Sequence, residues 1–171
     1  EHLFGTQPMN AIDEPILPLG SRRQVARLAA KTLNPTSETI PLPVGAPYGA
    51  VVVDTKACTL CLACVSLCPS GALGDNPDLP QLRFQEDACL QCGLCTNVCP
   101  EQAITLVPQF DLTDRAYTQK TLNEEDPFPC VECGTLFGVK STIEQIMEKL
   151  AGNHSMFANP AASRMIQMCD G

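Results

Sequence analysis

The sequence contains no tryptophan and only two histidines, His2 and His154, among 171 residues. That leaves no material for a His-rich metal site and little for a hydrolytic triad. Neither a G-x-G-x-x-G dinucleotide fingerprint nor a P-loop is present. No apolar run approaches the ~18 residues of a membrane-spanning helix, so no span is expected. Bases are scarce, 11 against 19 acids, for a net charge of -8. A nucleic-acid binder would carry a basic surface instead, so that class of partner is excluded. Apolar residues are not lacking: at 44% they are normal for a globular chain and exclude wholesale disorder.

Proline and cysteine are abundant, at 15 and 11 residues. The prolines predict long connections and little continuous helix. The cysteines fall into three groups: Cys58, Cys61, Cys64 and Cys68; Cys89, Cys92, Cys95 and Cys99; and Cys130, Cys133 and the distant Cys169. The first two groups share the spacing C-x2-C-x2-C-x3-C-P, closed by Pro69 and Pro100 and offset by 31 residues. The same offset maps Ala57 to Ala88, Ala72 to Ala103 and Leu73 to Ile104. Such self-similarity predicts two copies of one small unit packed together.

Three cysteines at i, i+3 and i+6 can wrap one compact metal core, and a cubane of four irons needs a fourth thiolate from elsewhere. A disulfide framework suits this pattern poorly, because loops so short restrain little chain. Zinc accepts C-x2-C pairs but has no use for two identical runs of four. Two [4Fe-4S] clusters are therefore expected, and intact Cys61 and Cys92 argue against three-iron clusters. The segments CTLCLACVSLCPSGAL and CLQCGLCTNVCPEQAI make residues 49 to 108 resemble a bacterial-type two-cluster [4Fe-4S] ferredoxin. The resemblance implies an α+β, pseudo-symmetric pair of strand–loop–helix–strand units and a role in one-electron transfer. It also implies that the fourth cysteine of each run crosses to the other cluster. One cluster would then take Cys58, Cys61, Cys64 and Cys99, and the other Cys89, Cys92, Cys95 and Cys68.

Local signals agree. Ala50–Asp54, with three valines, reads as a strand, as do Leu82–Gln85 and Ala103–Val107. Pseudo-symmetry predicts that the first and last of these form an antiparallel ribbon. GDNPDLP, residues 74 to 80, reads as a turn. Leu60, Leu62, Val65, Leu90, Leu94 and Val98 are expected to shield the clusters.

Three domains are expected. Residues 1–48 form a proline-rich arm with one helix, and 49–110 form the two-cluster unit. Residues 111–171 form an acidic linker with a C-x2-C knuckle and helices, and read as truncated. The arm's helix is expected from Ser21, its cap, to Leu33. Val25, Leu28, Ala29 and Leu33 would make its packing face, while Arg22, Arg23, Arg27 and Lys31 would form a solvated basic side lying on the acidic ferredoxin unit, with a docking patch for another protein as the alternative. Residues 54–132 carry twelve acids and four bases, and so the whole net charge. This acidity reads as a solvated surface, with steering of a basic partner as the alternative. PCVECG, residues 129 to 134, resembles a zinc knuckle. Cys130, Cys133 and Cys169 are accordingly candidate zinc ligands, one short of four. A fourth cysteine in C-x2-C register would fall just after Gly171; His154 is the nearby substitute, though it reads first as a polar residue at a helix C-terminus. Free thiols in loops and a third cluster are the other readings. A helix from Ser141 to Ala151, with Ser141 and Glu144 as a capping box, and a short one from Asn159 toward Met168 complete the flank.

The expected function is an electron-relay module of a larger oxidoreductase, with no catalytic site of its own. Its redox partner would be a protein or domain, by analogy one containing flavin or molybdenum. The alternative is a structural or redox-sensing module. Free thiolates suit a reducing space, so the cytoplasm is the expected compartment.

Overall fold

The computed structural model describes residues 15–34, 38–153, 159 and 164–171. His2 and His154 lie outside them. Among the described residues, four α-helices and eight short strands form a mixed α/β structure with three small sheets.

The repeat in the sequence is a repeat in space. Its first copy runs β2 (Gly49–Val53), α2 (Ala63–Ser66) and β3 (Leu73–Asp75). Its second runs β4 (Gln81–Phe84), α3 (Leu94–Val98) and β5 (Ile104–Asp111). The first strand of one copy pairs antiparallel with the last strand of the other, from Gly49↔Pro108 to Val53↔Ile104. This is the expected ribbon, with bounds moved by a residue or so and β5 extended. Within the middle of the chain, β3 pairs with β4, Leu73 opposite Phe84. Two bonds offset by 31 residues show the symmetry at the ribbon ends: Asp54 N–H donates to Ala103 O and Gln85 N–H to Ala72 O, both at 2.8 Å. The expected turn from 74 to 80 is shorter, because Gly74 and Asp75 belong to β3; within what remains, Asp78 N–H donates to Asn76 Oδ1 at 3.1 Å.

Each ribbon is widened by a strand from outside the repeat. β1 (Thr39–Pro41) adds to β5, and β6 (Lys120–Glu124) adds to β4. The segment after residue 111 is thus not merely an acidic linker: a 3-10 turn (Asp114–Tyr117) leads into β6, which completes a sheet of the duplicated unit. An open strand edge is a standing acceptor for another strand, which is why a stretch with weak alternation pairs there. The core joins both copies: Ala50, Val51, Leu60 and Ala72 pack with Leu73, Leu82, Phe84 and Ile104, together with Cys64 and Cys89.

Helix α1 (Arg22–Leu33) starts as expected, with Ser21 and Gln24 closing a reciprocal capping box. Its packing face is not the expected one. Arg27 is wholly buried, whereas Leu28 and Leu33 are 38% and 44% exposed. The surface it meets offers backbone carbonyls, a carboxylate and two aromatic rings, which suit guanidinium groups better than leucines. Arg27 Nε lies 3.2 Å from Asp87 Oδ1, and Nη1 donates to Asp111 O. Lys31 pairs with Asp114 at the helix end. Tyr48 and Phe110 meet edge-to-face with centroids 4.6 Å apart, and Arg23 and Arg27 lie over them.

Beyond β6, β7 (Pro127–Pro129) and β8 (Leu136–Val139) form a hairpin that leads into α4 (Lys140–Asn153). Ser141 lies inside this helix and does not cap it with Glu144. Its N–H and Oγ both donate to the Glu125 carboxylate, at 3.3 and 2.8 Å, so the cap arrives from another segment. Of the expected short helix after Asn159, Arg164 and Met165 are helical, and residues 160–163 lie outside the described part.

Candidate metal centres

The segments between the ribbon strands carry the eight cysteines, with Cys64 in α2 and Cys95 in α3, and the backbone repeats here as strictly as the sequence. Leu60 and Leu62 have φ of 51° and 56°; their counterparts Gln91 and Gly93 have 55° and 80°. Left-handed residues at these steps curl each C-x2-C-x2-C loop round its own centre. After each run the chain turns through Gly71 at 66° and Gln102 at 50°, also offset by 31 residues.

Burial follows the same symmetry. Cys58, Cys64, Cys89 and Cys95 are buried or half-buried, while the middle cysteines, Cys61 and Cys92, are exposed. A cavity in the second half is lined by Cys89, Cys92 and Cys95 and, from the first run, Cys68. Apolar side chains make most of the rest of its wall, among them Val51, Leu73, Phe84 and Leu106. In the first half, Cys64 sits beside Cys58 and Cys61, and also near Cys95 of the other run. The structure therefore gathers Cys68 with the second triad and brings the two sites side by side.

The donor set suits a positively charged core. Burial, then the neighbouring thiolates of Cys58 and Cys61, push the Cys64 thiol up to about 11. Burial likewise raises Cys89 and Cys95. Sulfurs packed this way resist ionising together unless a cation lies among them, which is what an iron–sulfur core supplies. Backbone donors are already aimed at the fourth cysteine of each run. Leu73 N–H points at Cys68 Sγ at 3.5 Å and Ala103 N–H at Cys99 Sγ at 3.4 Å. At Cys68 burial alone would raise the thiol, but these bonds, with Ser70 and Ala72, outweigh it and pull the thiol down.

The expected shield is divided. Leu60 is buried, and Leu62, Val65 and Val98 pack against the core. Leu90 and Leu94 line the cavity but stay 44% and 45% exposed. Two neighbours were not legible in the sequence. Gln91 Nε2 reaches Cys89 Sγ at 3.5 Å and Ala50 O at 3.0 Å. Arg23 donates to Asp87 O at 2.8 Å, Pro47 O at 2.5 Å and Cys89 O, clamping the entry to the second loop. No spacing rule links residue 23 to residue 89; only the fold does.

The third group is also brought together. Cys130 and Cys133 stand at the tip of the β7–β8 hairpin, where Cys130 N–H donates to Thr135 O at 2.8 Å and Gly134 turns at φ 75°. Cys169 arrives from the last segment, with its Sγ 3.4 Å from that of Cys133. Backbone N–H groups of Cys133, Cys169 and Glu132 pull the Cys130 thiol down to about 6.

Two comparisons with family models agree with this geometry. Residues 57–104 match a model described as a 4Fe-4S dicluster domain, and residues 88–135 match a second one with the same description. No curated protein matches the chain. Residues 57–135 thus carry a two-cluster, ferredoxin-like domain, an iron–sulfur unit of the electron-transfer kind. Among the described residues no helix is long and apolar enough to cross a membrane.

Proposed function

We propose that the chain is an electron-relay module of a larger oxidoreductase, with two [4Fe-4S] clusters held by exchanged cysteines. Cys58, Cys61, Cys64 and Cys99 hold one, and Cys89, Cys92, Cys95 and Cys68 the other. Each cluster, when bound, takes up and gives back a single electron. The chain's own residues position, insulate and connect. The observation that carries the reading is adjacency: Cys64 of one site and Cys95 of the other are close enough to feel each other's charge. Exposed Cys61 and Cys92 give each site one edge on the surface, a way in and a way out. Apolar walls hold water away elsewhere, and N–H bonds to sulfur tune the potential. In this reading the chain transforms no substrate, and its partner is a redox protein or domain of the same assembly. The reducing cytoplasm suits its free thiolates.

Anaerobically reconstituted protein is expected to hold about eight irons per chain, by the ligand count of two cubanes. Voltammetry is expected to show reversible one-electron reduction, with an EPR signal of coupled reduced clusters. Silence across the physiological range would reassign the clusters to a structural or redox-sensing role. Cys99→Ser is expected to damage the cluster of Cys58, Cys61 and Cys64. Selective loss of the other cluster would overturn the exchanged ligand sets.

A further inference from the structure

We propose that Cys130, Cys133 and Cys169 bind one zinc ion, which clasps the segment carrying Cys169 to the β7–β8 hairpin. The three sulfurs all lie within 4.8 Å of one another. Zn–S bonds of about 2.3 Å at tetrahedral angles put sulfurs about 3.8 Å apart. The Cys133–Cys169 distance of 3.4 Å and the 4.8 Å limit bracket that edge. A cubane sets an iron between its centre and every thiolate, so it holds its ligands farther apart than a single ion does. The eight cysteines of the duplicated unit accordingly form no such tight group among the described residues. Spacing thus separates this site from a third cluster, although the second family match runs as far as residue 135.

The surroundings are those of a thiolate ion site. Cys130 is buried, with Cys169 N–H directed at its sulfur at 3.4 Å. Thr135 Oγ1 stands 3.3 Å from Cys133 Sγ. Such contacts orient ligands before the ion arrives. Three thiolates choose a soft ion, and zinc fits a tetrahedron with no redox role. Cys133 is exposed, so the fourth position opens on solvent, where water or another donor completes it.

The ion would hold two pieces of chain together. Val131 N–H donates to Gln167 O at 3.0 Å, and Arg164 pairs with Glu132 at 2.8 Å. The ion pair is exposed and worth little alone. Gln167 also reaches Met147 of α4, Nε2 to Sδ at 3.0 Å. A metal bridge between residues 133 and 169 closes a long loop, so its removal should release the last segment first.

The test uses the full chain with its iron–sulfur clusters in place, exposed to zinc and freed of excess by gel filtration. One zinc per chain is expected to remain, and cobalt(II) in its place is expected to show the intense bands of tetrahedral thiolate coordination. Cys133→Ser and Cys169→Ser are expected to lose the zinc while keeping all the iron. Chelating the zinc is expected to speed amide exchange at Val131 about tenfold or more as the segment opens, leaving the visible cluster absorbance unchanged. Zero retained zinc in the parent protein would overturn the proposal. So would extra iron and sulfide that Cys133→Ser removes, a Cys133–Cys169 disulfide in anaerobic protein, or Val131 exchange indifferent to chelation.

Discussion

Leu60, Leu62, Gln91 and Gln102 hold φ of 51°, 56°, 55° and 50°, the left-handed region where Cβ crowds the following carbonyl. Three such residues in two short loops, and a fourth just past the second run, mean that the backbone shape here is imposed by its contents and surroundings. The repeat supplies its own control, because Gln102 has Gly71 as its counterpart and both make the same bond. Gly71 N–H donates to Cys68 O at 3.3 Å, and Gln102 N–H to Cys99 O at 3.2 Å. Both positions are exposed, and a Cβ on Gly71 meets nothing within 4 Å. Exchanging residues here therefore changes backbone strain and little else. Gln102→Gly is expected to stabilise the unit by about 1 kcal/mol, and Gly71→Gln to destabilise it by a similar amount. Native-state hydrogen exchange of the β2–β5 amides checks both, as a change of about fivefold each way. Equal effects of one sign from the two substitutions would show that something other than φ decides. At this scale the sequence reveals much. Cysteine spacing alone picks out the eight candidate ligands, because a metal core needs donors at fixed steps. Arg23 and Gln91 escaped, because a side chain that bonds a carbonyl or a sulfur carries no periodic signature.

Among the elements, α1 shows where periodicity misleads. Its sequence has an apolar stripe and a basic stripe, and the rule that apolar faces pack inward selects the wrong one. Arg27 is instead buried against Asp87, with Tyr48 and Phe110 beneath the guanidinium groups. A buried ion pair adds little net stability, since desolvation offsets attraction, but losing one partner strands a charge. Arg27→Ala is expected to cost about 3–5 kcal/mol, and the double change Arg27→Met with Asp87→Leu much less. A double-mutant cycle by anaerobic denaturation checks this. If the two single changes simply add, the pair is a surface contact and the packing described for α1 is wrong. The same lesson holds for α4. Ser141 and Glu144 have the spacing of a capping box, yet Glu125, sixteen residues upstream of Ser141, provides the carboxylate. Local pattern finds a helix start; it does not find the group that tertiary structure delivers there. β6 was hidden for a related reason, since its partner edge on β4 exists only once the ribbons have formed.

For the whole molecule, topology and ligation reinforce each other. The 31-residue offset made the pairing of the outer strands predictable, because two copies related by a pseudo-twofold axis must exchange what one copy cannot satisfy alone. Strand β2 of the first copy finds its partner, β5, in the second, and the core draws on both copies. The cavity in the second half borrows Cys68 from the first. Neither copy closes its own sheet, and the second-half cavity draws its fourth cysteine from the first copy. Few side chains are buried, and two of those in the core are cysteines, so the unit lacks the apolar mass to stand without its metal cores. Removing iron is therefore expected to unfold both ribbons in one transition. Hydrogen exchange would show amides of β2, β3, β4 and β5 losing protection together as a chelator strips the iron, with α1 released in the same step because its anchors, Asp87 and Asp111, lie in the second copy. The β7–β8 hairpin, which pairs with no other strand among the described residues, is expected to persist longer. Loss of protection in one copy while the other stays closed would mean that each half folds around its own cysteines, and the exchange of ligands between them would have to be abandoned.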